Sequence, residues 1–137
     1  MIIPAMRYRD PDAAVTFLAE AFGLTEHNVH RDDAGSVVHA ELKYGDDVIM
    51  VSGPRDPGWL GGGTADPLAS TVSVYVVVDD PQAHFDRAKA AGATIVRDLE
   101  HMDYGSHEYS ARDPEGNLWS FGTYRGEPPT RASSDVA

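Results

Sequence analysis

The chain has 137 residues, of which 22 are acidic and 11 basic, so that its formal net charge is −11 at pH 7. This length predicts one compact domain, and so acidic a surface repels nucleic-acid backbones and anionic membranes, which we exclude as partners. The absence of cysteine excludes disulfides, thiolate zinc sites, iron–sulfur clusters and a cysteine nucleophile.

The first half of the chain reads as a strand, a helix and three further strands. Residues 2–8 are a short apolar strand candidate, and Asp10 and Pro11 then supply a helix N-cap and a first helical position. Apolar residues recur at helical spacing until Gly23, after which their period shortens to two. Three strands are therefore predicted at residues 24–31, 36–43 and 47–52.

Residues 53–70 hold five glycines and three prolines without any period, which predicts a linker between two halves. In the second half, Asp80 and Pro81 open another helix, which ends at Ala91 and Gly92. Strands are predicted around it at residues 71–79, 94–101, 106–112 and 117–124. The organisation predicted is one domain over 1–126, with modules at 1–52 and 71–126 and a disordered tail at 127–137.

The two halves of the chain repeat the same motif. Asp10-Pro11 and Asp80-Pro81 stand 70 residues apart, and the turn glycines Gly35 and Gly105 have the same spacing. A shared offset at separate features indicates an internal duplication. The sequence therefore predicts an α+β fold of two β-α-β-β-β modules, whose seam is the natural place for a ligand.

Two local patterns add to this duplication. The first helix carries Ala-x-x-Phe-Leu-x-x-x-Phe-Gly over residues 14–23, and an Asp-Pro-x-Gly turn at 113–116 precedes the last strand. Together they resemble the vicinal-oxygen-chelate superfamily, also called the glyoxalase/bleomycin-resistance/dioxygenase superfamily, over residues 2–124. Residues 109–124 resemble the closing hairpin of its bleomycin-resistance-like branch. The resemblance implies tandem βαβββ modules that form a cupped mixed sheet with helices on its outer face, and a homodimer.

The resemblance also says where a metal would be held. In the metalloenzymes of the superfamily the ligands come from the first and last strand of each module, and those positions correspond here to Ile3, Met50, Ser73 and Ser120. A catalytic divalent metal needs about three nitrogen or carboxylate ligands. None of the four residues is of that type, so we predict neither a metal site nor a cofactor.

A non-standard metal site stays open as an alternative. Its candidate ligands are His39 and Glu41 on one strand face, and His101, Asp103, His107 and Glu108 around the second hairpin. The simpler interpretation is that these are solvated strand and turn residues. The other histidines, His27, His30 and His84, are predicted at the surface.

The alternation of side chains along the strands selects the residues that face a ligand. The starting points are the four positions that correspond to metal ligands in the superfamily. Tyr75 shares a strand face with Ser73, Leu118 with Ser120, and Arg7 with Ile3. Trp119 and Phe121 fall on the opposite face, beneath the helices. Trp59 in the linker either covers a planar ligand or anchors its loop. The candidate ligand-binding residues are Arg7, Met50, Trp59, Ser73, Tyr75, Leu118 and Ser120.

Together these features predict a small-molecule binding protein of the bleomycin-resistance type. It sequesters an aromatic, cationic, antibiotic-like ligand as a metal-independent homodimer and breaks no bond. The N-terminal apolar run is too short for a signal peptide, which makes the cytoplasm the expected location. Two alternatives remain: a glyoxalase-like lyase, isomerase or dioxygenase with a non-standard metal site, and a metabolite-binding protein without a drug role.

Overall fold

The computed structural model describes residues 1–54 and 72–126 of the chain. Within these ranges two β-α-β-β-β modules follow one another, as the duplication predicts. No helix of the described ranges is long and apolar enough to cross a membrane. Trp59, most of the predicted linker and the predicted tail lie outside the described residues.

The elements agree with the predicted order, and the first, fifth and last strands are shorter than predicted. The first module consists of β1 (Ala5–Arg7), α1 (Pro11–Phe22), β2 (Thr25–Arg31), β3 (Val37–Tyr44) and β4 (Asp47–Ser52). The second consists of β5 (Val74–Val77), α2 (Pro81–Ala90), β6 (Thr94–His101), β7 (His107–Arg112) and β8 (Leu118–Gly122).

Both helices begin where the aspartate–proline pairs predict. A side-chain oxygen of Asp10 accepts a hydrogen bond from the backbone N–H of Ala13 at 3.0 Å, and Asp80 accepts one from Ala83 at 3.1 Å. These bonds satisfy donors that the first helical turn leaves free. Helix α1 ends at Phe22 and is capped by Gly23, whose φ of +80° is left-handed and favours glycine.

Each module forms its own four-stranded mixed sheet, and the two sheets have the same topology. Their strand orders are β1-β4-β3-β2 and β5-β8-β7-β6. The first strand of each module pairs in parallel with the last, and the remaining pairs are antiparallel. The α+β fold of two tandem βαβββ modules is thereby confirmed.

The register of β3 departs from the simple repeat. Arg31 pairs with Val37 but His30 pairs with His39, so that β3 carries one extra residue near its start. Strand β7 has no such irregularity there, because His101 and Glu100 pair with His107 and Glu108 in succession. As a result Glu108, which pairs with Gly122, corresponds to His39, which pairs with Ser52.

One hydrophobic core joins the modules. Helices α1 and α2 pack against each other as well as against their own sheets. Trp119 and Phe121 are fully buried in this core, which confirms their predicted position beneath the helices. The ring of Phe22, at the end of α1, lies 5.3 Å from that of Trp119 and 4.7 Å from that of Phe121. Burial of these large rings couples the first module to the second.

The Asp-Pro-x-Gly turn adds a polar link between the modules. The buried carboxylate of Asp113 accepts hydrogen bonds from the Tyr8 hydroxyl and, at 3.2 Å, from Trp119 Nε1. The Glu115 carboxylate accepts hydrogen bonds from the backbone N–H groups of Arg9 and Asp10, at 2.6 and 2.8 Å. This turn therefore holds the start of α1 against the second module.

The prediction that His84 lies at the surface is wrong. Its ring is buried between the helices, with Nε2 at 2.7 Å from the carbonyl oxygen of Phe22 and Nδ1 against the hydroxyl of Tyr109. A carbonyl can only accept, so Nε2 carries the proton and Nδ1 accepts from Tyr109. The end of α1 leaves carbonyls unpaired, and His84 satisfies one of them.

Acidification should destabilise the protein through His84. Burial lowers the pKa of His84 below its ordinary 6.5, against the opposing effect of the Phe22 carbonyl and with a smaller lowering by Arg87. The contribution of neutral His84 to stability is therefore fully present above pH 6.5, the unfolded-state pKa. It falls as the pH drops below 6.5, because the unfolded state takes up the proton first. The slope approaches about 1.4 kcal/mol per pH unit until the folded-state pKa is reached.

Urea unfolding of the wild type, His84→Gln and the exposed His27→Gln at pH values between about 7.5 and 5 measures this effect. Glutamine can still donate to the Phe22 carbonyl but does not titrate, so His84→Gln should flatten the pH dependence, whereas His27→Gln should not. Equal pH profiles for the wild type and His84→Gln would contradict the assignment.

Candidate functional site

The candidate site lies on the second sheet, on the face opposite Trp119 and Phe121. A cavity of about 470 Å³ opens there, and its wall consists of Tyr75, Arg97, Tyr104, Glu108, Ser120 and Tyr124. Strand alternation explains the separation of the two faces. Ser120 stands between the buried Trp119 and Phe121 along β8 and is paired with Tyr75 on β5.

A buried carboxylate, that of Glu108, forms the centre of this wall. One of its oxygens accepts from the Tyr75 hydroxyl at 2.7 Å and from Ser106 Oγ at 3.1 Å. The other accepts from the Tyr104 hydroxyl at 2.7 Å and from Arg97 Nη2 at 3.2 Å. Two donors on each oxygen use the hydrogen-bonding capacity of an ionised carboxylate.

These donors decide the charge of the site. Burial by itself raises the pKa of the Glu108 carboxyl, but the hydrogen bonds from Tyr104, Tyr75, Ser106 and Arg97 outweigh it and lower the pKa. The hydrogen bond to Glu108, followed by burial, raises the pKa of Tyr104 to about 12. Burial and the same carboxylate also raise the pKa of Tyr75. At neutral pH the site therefore holds one carboxylate, one guanidinium and protonated phenols.

Three tyrosine rings surround this centre. The ring of Tyr124 lies 6.5 Å from that of Tyr75 at an interplanar angle of 87°, and 5.4 Å from that of Tyr104 at 69°. The exposed fractions of Tyr75, Tyr104 and Tyr124 are 39%, 56% and 37%. The hydroxyls of Tyr75 and Tyr104 donate to Glu108, and the backbone N–H of Tyr124 donates to the Tyr75 hydroxyl. Part of each ring stays accessible, which makes the cavity wall aromatic.

Gly122 provides the space that this arrangement needs. A Cβ at this position would lie 2.6 Å from Glu108 Cγ and 2.8 Å from the His107 carbonyl oxygen, and would also overlap the Tyr75 hydroxyl. Only glycine avoids these clashes, so the contact between Tyr75 and Glu108 depends on a missing side chain at the end of β8.

The structure places the predicted ligand-binding residues in different locations. Tyr75 and Ser120 line the cavity, and Leu118 lies half-buried on the same strand as Ser120. Ser73 is exposed just before β5. Arg7 and Met50 are half-buried on adjacent strands of the first module and do not line this cavity.

The positions that correspond to metal ligands in the superfamily do not fit a metal. Ile3 and Met50 carry no suitable donor, and Ser120 Oγ is hydrogen-bonded to Ser110 Oγ at 2.8 Å. Among residues 1–54 and 72–126, no three His, Asp or Glu side chains stand close enough to hold an ion.

The alternative metal ligands make other contacts. The ring of His39 stacks on that of His30 at 6.2 Å, and the ring of His101 meets that of His107 at 4.8 Å. Glu41 accepts a long hydrogen bond from Asn28 at 3.5 Å. Asp103 lies exposed in the turn between β6 and β7.

Sequence reasoning missed Arg97, Tyr104 and Tyr124, and treated Glu108 only as a candidate metal ligand. The parity of β5 and β8 pointed to the face on which this cavity opens, but β6, β7 and their turn contribute three of its six wall residues. The four-residue spacing of Tyr104 and Glu108 across a turn was the one available signal. This spacing brings the two side chains into contact only when the hairpin between β6 and β7 is folded.

Comparison with known proteins agrees with this architecture. Residues 4–121 match the model of the family described as the Glyoxalase/Bleomycin resistance protein/Dioxygenase superfamily. An uncharacterised protein of Mycobacterium tuberculosis strain H37Rv is 30% identical over 122 residues, which are 87% of this chain and 71% of that protein.

Solved structures show the same fold. TioX from Micromonospora sp. ML1 superposes with a TM-score of 0.71 at 32% identity, covering 95% of this chain and 98% of TioX. A bleomycin-binding protein complexed with bleomycin gives a TM-score of 0.62 at 24% identity, covering 91% of this chain and 98% of its own. At that identity the second likeness concerns the fold alone.

Removing the charge of Glu108 should change how Tyr104 titrates. In Glu108→Gln we expect the Tyr104 pKa to fall from about 12 towards the ordinary 10, because the phenolate no longer faces a carboxylate. NMR titration of ring-labelled tyrosines measures this. Glu100→Gln is the matched control, since Glu100 is also near Arg97, at 3.9 Å, but is exposed. Identical Tyr104 titrations in the two variants would show that Glu108 does not contact this phenol.

Proposed function

This chain belongs to the Glyoxalase/Bleomycin resistance protein/Dioxygenase superfamily, and we propose that it binds a small organic molecule in the cavity of its second module without altering it chemically. The observation that carries this proposal is the aromatic cavity around Glu108. A concave wall with ring surface and a few fixed polar groups is typical of small-molecule sites. The bleomycin-bound neighbour supports a ligand of this kind on the same fold.

The polar groups of the cavity favour binding over catalysis. A lowered pKa and four hydrogen-bond donors make Glu108 a weak base, and raised pKa values make Tyr75 and Tyr104 weak acids. Metal-dependent lyase, isomerase or dioxygenase chemistry would need donors that the corresponding positions do not supply. A metabolite binder without a drug role differs from a sequestration protein only in the ligand, and no described contact favours it.

The proposed ligand is aromatic and cationic. Tyrosine faces attract both aromatic rings and cations, and a net charge of −11 raises the local concentration of positively charged molecules. Glu108 is not the direct partner of that charge, because its oxygens are already used. Attraction by the whole protein should weaken with salt.

In this proposal the protein is a metal-independent cytoplasmic homodimer of the bleomycin-resistance type. Tyr75 and Ser120 contact the ligand directly. A larger ligand would also contact the other predicted residues, and those of the first module could come from the same subunit or from the partner subunit. These residues are Arg7, Met50, Trp59, Ser73 and Leu118.

Divalent metal should leave the stability unchanged. A ligand that binds the native state raises the melting temperature, whereas one that finds no site does not. Thermal unfolding with and without Ni²⁺, Zn²⁺ or Mn²⁺, together with metal analysis of protein purified without chelator, measures this. A stoichiometric bound ion would favour the enzyme alternative instead.

Titration with basic peptide and glycopeptide antibiotics, at low and moderate salt, tests the ligand class. Tyr75→Ala should raise the dissociation constant about fivefold, since an aromatic contact contributes on the order of 1 kcal/mol. Val38→Ala, at an exposed position of β3, is the control and should bind like the wild type. If anionic compounds bind and cationic ones do not, sequestration of cationic drugs is refuted.

A further inference from the structure

Building on the proposed binding site, we infer that the cavity selects a fully alkylated cationic group, such as a quaternary ammonium, over a primary ammonium. The basis is the juxtaposition of three accessible tyrosine rings with a carboxylate whose acceptors are all occupied. Such a wall offers a cation ring faces and negative potential but few free hydrogen-bond acceptors.

The hydrogen-bond inventory explains the discrimination. A primary ammonium has three N–H donors, each of which loses a water molecule when it enters the cavity. The oxygens of Glu108 already accept from Tyr75, Ser106, Tyr104 and Arg97. The Tyr75 hydroxyl oxygen in turn accepts from the backbone N–H of Tyr124 at 3.1 Å. A quaternary ammonium has no N–H and therefore loses no donated hydrogen bond here.

The electrostatics favour a cation despite Arg97. Its guanidinium lies 3.2 Å from the Glu108 carboxylate and 3.9 Å from that of Glu100, so that two negative charges surround one positive charge. Tyr75 and Tyr104 donate their hydroxyl protons to Glu108, which leaves their rings electron-rich. Recognition of quaternary ammonium by several aromatic faces rests on this kind of attraction.

Three probes separate charge from alkylation: benzyltrimethylammonium, benzylammonium and the neutral benzyl alcohol. All three carry the same ring, and both ammonium compounds are charged at pH 7. Calorimetric or NMR titration should give a dissociation constant roughly tenfold lower for benzyltrimethylammonium than for benzylammonium, and no tighter binding for benzyl alcohol than for benzylammonium. Chemical shift changes should centre on Tyr104 and Tyr124.

Tyr104→Phe tests the mechanism of selection. This variant keeps the ring but removes one donor from Glu108, so that a carboxylate oxygen becomes free to accept from a primary ammonium. The preference for the quaternary probe should then fall about fivefold. Tyr44→Phe is the matched control, because Tyr44 lies away from this cavity, beside His84, and its substitution should keep the wild-type preference.

The outcomes distinguish this inference from the proposal it rests on. If no probe and no antibiotic shifts the cavity resonances, the binding site itself is wrong. If the probes bind there but benzylammonium or benzyl alcohol equals benzyltrimethylammonium, binding stands and selection of an alkylated cation is refuted. An unchanged preference in Tyr104→Phe would refute the occupied carboxylate as its cause.

Discussion

A buried carboxylate has to be surrounded by donors, and in this protein that requirement organises the candidate site. Glu108 is almost inaccessible to solvent, so its ionised form is stable only because four side chains donate to it. Those donors come from β5, from β6 and from the turn before β7. The hydrogen bonds to the Glu108 carboxylate thus hold Tyr75 and Tyr104 in the cavity wall and connect these elements of the second module.

The two modules share a backbone scaffold, but this cavity lies in the second module. The two sheets share their topology, but the residues that correspond to Tyr75 and Ser120 are Ala5 and Met50. The position of Glu108 is taken in the first module by His39, whose ring stacks on another histidine instead of accepting hydrogen bonds from tyrosines. Pseudo-symmetry of the backbone therefore does not extend to the chemistry of the described faces.

The same strand serves both the core and the cavity. Along β8, Trp119 and Phe121 anchor the sheet to α1 and α2, while Ser120 and Gly122 face the opposite side. Because neighbouring residues of a strand point in opposite directions, packing of the large rings positions Ser120 and Gly122 on the cavity face. Tyr75 and Tyr104 are already hydrogen-bonded to Glu108, so they would lose little side-chain freedom when a ligand arrives, which suits the proposed role in binding.

The sequence by itself determined the duplication, both helix starts, the order of the strands and the face on which Tyr75 and Ser120 lie, because caps and strand parity are local properties. Only the tertiary structure decided that Glu108 and Tyr104 belong to the same site, since their contact requires a folded hairpin whose register differs from that of its counterpart by one residue. It likewise decided that His84 is buried, because helical spacing does not reveal that one helix packs against the last turn of another. Local patterns fix which way a side chain points, whereas convergence of side chains from separate strands depends on long-range packing and register that no single segment encodes.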